Sequence, residues 1–379
     1  MEVQFFKHNI DKEEKEAVAK TLGSVFLTTG PKTKEFETKL SNYVQAKYCV
    51  GVSSWTMGNL ITLKALGIGS GDEVITSPMS FIATSNTIIQ AGAKPIFVDV
   101  EKNTGNLDPT KIESKITPNT KAILPIHLYG QMCDMIRISE IARKYNLVII
   151  EDAAHCIEGS RDGIRPGELS TAAIFSFYAT KNITSGEGGA VVTNDKILYE
   201  RLLKYRLHGI NKSASERFSS TYEHWDMEFL GYKCNMNDIQ ASMLIPQINK
   251  INTHRSKRDH LCEIYEDAFR GNEDISFPEK NPNSIHARHI FTVWVNPTKR
   301  DRVIYELQKN NIGVAVNFRA IHLLSYYMTT FDYQSGDYPI AELIGNSTIT
   351  IPLYTKLKSK EINYVIDKLI TITGCMNDK

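Results

Sequence analysis

Between residues 48 and 193 the chain alternates short β-rich runs with segments of helical periodicity. This alternation limits the possible folds more than any other feature. The runs are Tyr48–Val52, Glu73–Thr76, Pro95–Val100, Ala122–His127, Leu147–Asp152, Ala173–Phe177 and Ala190–Thr193. They are rich in Val, Ile and Phe and end in polar or turn residues, as buried strands do. Met57–Leu66, Phe81–Ala91 and Asp134–Tyr145 read as helices between them. The alternation predicts an α/β fold with a large, mostly parallel sheet and helices on both faces. Sheets of this kind bind ligands beyond the carboxyl ends of their strands, so the residues that follow each run carry the functional information.

Three of those followers are polar in a telling way. Ser53-Ser54-Trp55-Thr56 follows the first run, Asp152 and His155 end the fifth, and Lys181 comes shortly after the sixth, ahead of Gly186-Glu187-Gly188-Gly189. A lone lysine is usually a solvated surface charge. Here three separated segments converge on one edge of one sheet. An amine held in a cleft can form a Schiff base with an aldehyde cofactor. A pyridoxal phosphate site needs that amine, a carboxylate that keeps the pyridine nitrogen protonated as an electron sink, donors for the phosphate and a flat cover for the ring. Lys181 is the candidate amine and Asp152 the carboxylate. Ser54, Trp55 and Thr56 open a predicted helix whose N–H groups and hydroxyls suit a phosphate. Ser176 adds a second hydroxyl, and Phe81 could stack on the ring. Each has an ordinary alternative: a turn former for Asp152, a plain helix cap for the Ser/Thr cluster, core packing for Phe81.

After residue 240 the pattern changes. Ile239–Ile251 and Arg255–Phe269 read as two helices, His289–Val295 as a strand, Arg302–Lys309 as a helix, Gly313–Phe318 as a strand and Glu361–Ile372 as a closing helix. Gly271–Pro282 reads as a loop. The expected division is a large domain over 1–245, with an N-terminal arm, and a smaller C-terminal α/β domain over 246–379.

Composition excludes several function classes. With 44 basic against 43 acidic side chains, net charge +1, there is no electrostatic case for nucleic acid or an anionic membrane. No apolar run approaches the ~20 residues needed to span a bilayer, and the first residues lack the apolar core of a signal peptide. The six cysteines form no CxxC pair and have no zinc-ligand spacing. No metal is expected, and the thiols are read as reduced in a cytoplasmic protein. Cys156, beside His155, reads as a buried filler rather than a nucleophile.

The sequence resembles the DegT/StrS-type sugar aminotransferases, which are fold type I pyridoxal phosphate enzymes. The resemblance covers essentially the whole chain. It shows in Thr29-Gly30-Pro31, in the stretch from Ala65 to Thr76, in Ala91–Val100 and in His127-Leu128-Tyr129-Gly130-Gln131. It is most specific in Glu151-Asp152-Ala153-Ala154-His155 and Phe175-Ser176-Phe177…Lys181-Asn182…Gly186-Glu187-Gly188-Gly189. It implies a fold type I architecture and pyridoxal 5'-phosphate as cofactor. Lys181 is then the Schiff-base lysine, Asp152 the partner of the pyridinium nitrogen, His155 a neighbour of the ring and its hydroxyl, and Phe81 the stacking residue. Ser176, Thr56, Ser54 and the backbone at Trp55 hold the phosphate. Lys233 or Asn235 reaches the phosphate of a neighbouring subunit, which implies a homodimer with shared sites. Thr29, Gly30, Arg319 and His322 are candidates for substrate contact; helix-surface or core roles compete for Arg319 and His322. The family usually has Gly or Ala where Trp55 stands, and most members have Asn where Lys233 stands.

The reaction implied is amino transfer from L-glutamate to a keto sugar. Position 4 of a nucleotide-linked 4-keto sugar, destined for a surface glycan or lipopolysaccharide, is the first expectation, since Lys181–Gly189 resembles the members that aminate position 4. The segment Asn317–Leu323 resembles the lipid A aminoarabinose and pseudaminic acid branches. A 3-keto nucleotide sugar or a free keto sugar acid are alternatives. A sugar dehydratase of the same fold would carry histidine at position 181. A non-catalytic cofactor-binding protein is opposed by the complete catalytic set.

Overall fold

The computed structural model describes residues 1–212 and 224–375. Its centre is a seven-stranded sheet built from β1 (Tyr48–Val52), β2 (Glu73–Thr76), β3 (Lys94–Phe97), β4 (Thr120–Leu124), β5 (Val148–Asp152), β7 (Ala172–Ser176) and β8 (Gly189–Thr193). The short β6 (Ser160–Arg161) lies outside it and pairs with β9 (Ser284–Ile285). The order across the large sheet is β1-β8-β7-β5-β4-β2-β3. The strands from β7 to β3 pair in parallel, whereas β8 runs antiparallel to both β1 and β7.

The sheet is thus mostly parallel, as the sequence predicts, and β8 is the strand that runs the other way. A parallel return needs a crossover that carries the chain back to the amino edge. Residues 177–188 instead fold on themselves at the carboxyl edge, with Phe177 N–H bonded to the Gly188 carbonyl at 2.9 Å and Ser185 N–H to the Phe177 carbonyl at 3.0 Å. The loop that carries Lys181 therefore stays beside the ends of the parallel strands.

Both faces of the sheet are buried, so successive residues feed different cores. Val50, Val52, Ile150, Ile174 and Val191 pack with the helix Trp55–Ala65 and with Leu198 and Leu202 of the helix Lys196–Tyr205. Their neighbours Cys49, Ala173, Phe175, Ala190 and Val192 pack on the other face with Phe36, Leu40 and Val44 of the helix Pro31–Val44. Each fully buried Leu, Ile or Phe adds roughly 1.5–3 kcal/mol of hydrophobic stabilisation.

The two helices expected at 239–251 and 255–269 are one 32-residue helix, Asp238–Phe269, which runs through Pro246. The polar stretch between the apolar halves faces ion partners instead of ending the helix: Arg258 bonds Glu158 at 2.6 Å, and Arg255 pairs with Asp259. The expected boundary at 245/246 falls inside this helix. Ala241, Leu244, Ile248 and Ile251 pack into the large-sheet core, whereas Leu261, Cys262, Tyr265 and Phe269 pack into a C-terminal core. That second body holds the antiparallel pair β10 (Phe291–Trp294) and β11 (Thr348–Ile351), packed with the helices Arg300–Lys309 and Ser359–Gly374.

The strand expected at Gly313–Phe318 is not a ladder strand. It makes isolated bridges only, through Ile312 to Val3 and through Ala315 to Thr350. The N-terminal arm occupies its edge, with Val3 N–H on the Asn311 carbonyl at 2.9 Å and Gly313 N–H on the Val3 carbonyl at 2.8 Å. Sequence reading did not find the helices Lys12–Leu22, Pro31–Val44, Lys196–Tyr205, Ser325–Phe331 and Pro339–Ser347, nor β11. Among the described residues, no helix is long and apolar enough to cross a membrane.

Candidate active site

A cleft of about 560 Å³ opens at the carboxyl ends of β1, β5 and β7. Its sheet side carries Ser54, Trp55, Thr56, Asp152, His155, Ser176 and Lys181 together, and Phe81 and Thr84 join them from the start of the helix Ala83–Ala91. The far wall comes from the C-terminal body and the N-terminal arm.

Asp152 is the last residue of β5. Its backbone N–H bonds the Pro125 carbonyl at 2.9 Å, which fixes it against the neighbouring chain segment. The carboxylate is oriented from both sides, accepting from Ala154 N–H at 3.1 Å and from the Thr84 hydroxyl at 2.9 Å. The hydroxyls of Ser80 and Thr84 lie 2.8 Å apart. Thr84 gives its only proton to Asp152, so Ser80 must donate to Thr84. Burial is the largest influence on Asp152 and raises its carboxyl, while these bonds and the positive Lys181 oppose it. A cationic nitrogen placed against this group would find an anchored anion.

Lys181 sits in the 177–188 loop, where its N–H bonds the Tyr178 carbonyl at 2.9 Å. Gln247, far away in sequence on the long helix, clamps the loop by accepting from Thr184 N–H at 2.9 Å and donating to the Thr184 carbonyl at 2.7 Å. Burial pushes the Lys181 ammonium down to about 8, and Asp152 works in the opposite direction. An appreciable fraction of the amine is therefore unprotonated near neutral pH, as a nucleophile or proton carrier requires.

Ser54 caps the helix Trp55–Ala65, its hydroxyl oxygen accepting from Met57 N–H at 3.1 Å. The backbone N–H groups of Trp55 and Thr56 have no partner among the described residues. With the hydroxyls of Ser54, Thr56 and Ser176 nearby, they form a donor cluster at a positive helix end. Gly189 is required for this arrangement: a Cβ there would lie 2.5 Å from the Ser54 carbonyl carbon and 2.7 Å from Trp55 N. Trp55 is 6% exposed and packs in the core behind the cleft, so its bulk does not fill the donor cluster.

Two aromatic surfaces face each other across this space. Phe81 is 59% exposed, which rules out ordinary core packing, and its ring lies 6.3 Å from Phe318. His155 stacks 5.9 Å from Phe318 and lies 4.3 Å from His289. Burial, reinforced by Lys181, holds His155 well below its usual value and hence neutral. His127 is fully buried; its Nδ1 accepts from Cys133 N–H at 3.2 Å, which leaves Nε2 to donate to Glu151 at 2.6 Å. The donor cluster, anchored carboxylate, depressed lysine and exposed aromatic ring fit pyridoxal phosphate in charge, shape and donor type.

Other expected residues lie outside this chain's cleft. Lys233 Nζ donates to Asn235 Oδ1 at 2.6 Å, Asn235 Nδ2 to the Thr29 hydroxyl at 2.6 Å, and that hydroxyl to the Met236 carbonyl at 2.6 Å. Gly30 N–H bonds Asp238 at 2.8 Å, and the same carboxylate accepts from Lys32 and Thr33 at the start of the helix Pro31–Val44. His322 is fully buried and bonds Glu342 at 3.0 Å, which is a core role. Arg319 is exposed next to Phe318 but does not line the cleft. Cys156 is fully buried, and burial raises its thiol well above the usual range, as a filler requires. Thr84, Gln247, His289, Phe5 and Phe6 are site residues that sequence reasoning missed. Only Thr84, just inside a predicted helix at a strand end, carried a local signal.

Comparison with known proteins agrees with this geometry. The model of the DegT/DnrJ/EryC1/StrS aminotransferase family matches residues 8–370. An uncharacterized protein of Methanocaldococcus jannaschii, MJ1066, is 41% identical over 97% of each chain. The spore coat polysaccharide biosynthesis protein SpsC of Bacillus subtilis is 38% identical over 94% of each. Among solved structures, the putative sugar aminotransferase Spr1654 from Streptococcus pneumoniae, in its PMP form, superposes with a TM-score of 0.93. It is 30% identical, over 98% of this chain and 99% of that one.

Proposed function

This chain belongs to the DegT/DnrJ/EryC1/StrS aminotransferase family and is a pyridoxal phosphate-dependent sugar aminotransferase. From that premise we propose that it moves an amino group from L-glutamate to position 4 of a nucleotide-linked 4-keto sugar on a route to a surface polysaccharide or lipopolysaccharide. One observation carries the catalytic part: Lys181, lowered to about 8, shares a cleft with the anchored Asp152 and an unpaired N–H cluster. Pyridoxal phosphate supplies the electron sink when bound. Lys181 Nζ would hold the cofactor's aldehyde and, once released, would carry a proton at its amine. Asp152 would hold the ring nitrogen, Phe81 and His155 would flank the ring, and Ser54, Thr56, Ser176 and the Trp55 backbone would take the phosphate. The lysine at 181 separates this reading from a dehydratase. The name of SpsC supports a polysaccharide destination, and the Lys181–Gly189 stretch supports position 4.

The site is completed by a second copy. Without lining this chain's own cleft, the bonded set Lys233–Asn235–Thr29 sits by the end of β1, where a neighbour's phosphate would meet it. Leu230 and Val25 are 82% and 94% exposed, apolar surface that suits a subunit contact. Sedimentation should give a dimer, and a monomer with full activity would refute the shared site. The enzyme is assigned to the cytoplasm, where its thiols stay reduced.

Mass spectrometry of products from nucleotide 4-keto sugars, 3-keto sugars and free keto sugar acids, each with glutamate, tests the substrate. Amination of the 4-keto nucleotide sugar supports the reading. Amination of another class alone replaces it, and amination of none removes the sugar assignment.

A further inference from the structure

His289 reaches the cleft from the C-terminal body, and its ring is held by a chain of groups with one self-consistent hydrogen-bond assignment. Asn182 follows Lys181 directly. Its amide contacts Glu158 Oε2 at 2.7 Å and the Ala287 carbonyl at 3.1 Å. Both are acceptors and a carbonyl can only accept, so the NH₂ of Asn182 must face them. The Asn182 oxygen then faces His289 Nδ1 at 3.1 Å. An oxygen acceptor there requires the proton on Nδ1. In the neutral ring this leaves Nε2 as a bare lone pair, and Nε2 has no partner among the described residues. Behind Asn182, Glu158 is held by Arg258, whose guanidinium bonds Glu158 Oε1 at 2.6 Å and the Arg288 carbonyl at 2.9 Å. Glu158, Arg258 and His289 are all buried.

We propose that Arg258, Glu158 and Asn182 are positioning residues that lock His289 in its Nδ1–H tautomer. Its Nε2 is then a lone-pair acceptor facing the cleft that Lys181 also lines. The inference rests on the aminotransferase reading but is independent of which sugar is used.

The surroundings favour the neutral ring. Burial, then His155, Lys181 and Arg258, hold His289 well below its usual value. Glu158 lies beyond Asn182 and is compensated by Arg258, so no uncompensated anion faces the imidazole. A neutral acceptor in the same cleft does not compete with Lys181 for its proton. It would also link the C-terminal body to the loop that carries the lysine, since Asn182 bonds both Glu158 and Ala287.

The direct test is nitrogen NMR of the holoenzyme labelled with ¹⁵N-histidine. The His289 signal is assigned by its loss in His289→Leu or, if that variant does not fold, by its movement in Asn182→Asp. The expected result is an Nδ1–H tautomer that does not titrate between about pH 5 and 8. An Nε2–H tautomer, or titration in that range, overturns the proposal. Asn182→Asp places a carboxylate at Nδ1 and should make the ring cationic. The rate of the glutamate half-reaction, read from the cofactor spectrum without any sugar, should fall on the order of 10²-fold. An acidic limb should move upward in its pH profile, while KM for glutamate changes little. Arg258→Lys should restore most of the rate lost in Arg258→Met. A loss of bound cofactor with an unchanged rate per occupied site would show a purely structural role and defeat the assignment. Failure to aminate any sugar while these results hold would count against the substrate reading alone.

Discussion

The two walls of the cleft are built differently. Asp152, Ser176 and the Ser54–Thr56 turn sit at or just beyond strand ends in one hydrogen-bonded sheet, and Lys181 sits in a loop pinned between two of its strands. The opposite wall is made by the N-terminal arm with Phe5 and Phe6, by Ala315, Asn317 and Phe318 from a segment without a ladder, and by Ile351 and Leu353 at the end of β11. The first wall is polar, and its groups are held within tight distances. The second is largely apolar and, β11 apart, is joined by isolated bridges. Bond making needs fixed polar groups, whereas a bulky substrate needs shape and apolar cover. We infer that the chemistry belongs mainly to the sheet wall, with His289 added from the C-terminal body, and that selection of the keto substrate belongs to the other wall.

Removing groups from the sheet wall should be the more damaging. Lys181→Ala should lower transamination on the order of 10⁴-fold, read as aminated product per hour, and near-normal turnover would put the chemistry elsewhere. Asp152→Asn comes next. It keeps the shape but removes the charge and one of the two acceptor oxygens that Ala154 and Thr84 use, so a loss on the order of 10²–10³-fold in kcat is expected, with a blue-shifted or weakened cofactor spectrum. If Asn were tolerated, the anchored anion would not be what the ring nitrogen needs.

The sheet wall also sets a pH dependence. The folded Lys181 ammonium titrates at about 8, below the ~10.4 of a free lysine. Uptake of the cofactor aldehyde by apoprotein should therefore rise with pH and level off just above 8. Uptake that kept rising towards 10 would mean the amine is solvated. For apoprotein stability the sign is fixed by proton counting. Between about 8 and 10.4 the unfolded lysine holds a proton that the folded one has released, so stability rises with pH across that window. Below it the full penalty of a buried ammonium remains.

The same contrast explains what the sequence disclosed. The strands β1, β2, β5 and β7 were legible nearly to the residue, because buried strands need unbroken apolar runs, and the groups at their ends followed from the sheet rule. Asp152 and Lys181 were legible together because the rule puts both at one edge. The direction of β8 was not, since its apolar run looks the same in either direction and only the folded-back 177–188 loop decides it. Gln247 and His289 lie 66 and 108 residues beyond Lys181, and nothing local in the sequence says that a helix amide and a histidine from the second body will meet that loop. The N-terminal arm was equally silent, because Phe5 and Phe6 acquire meaning only through Val3 pairing with residues 311–313.

That arm allows the smallest and most discriminating test of the two walls. Phe5 and Phe6 are partly buried and line the cleft opposite the lysine. Val3, fully buried, anchors them through its main-chain bonds. Gly313 lets the arm lie close, since a Cβ there would fall 2.5 Å from Phe5 N. Trimming an aromatic wall in an apolar pocket typically changes discrimination by about tenfold. Phe6→Ala should therefore raise KM for the keto sugar about tenfold while leaving the glutamate half-reaction within twofold, because the small donor needs only the sheet wall. Gly313→Val should act through the same route by displacing the arm, with a similar rise in KM and little change in cofactor content. Equal losses in both half-reactions would show that the arm supports the catalytic groups themselves, and the division of labour between the walls would fail.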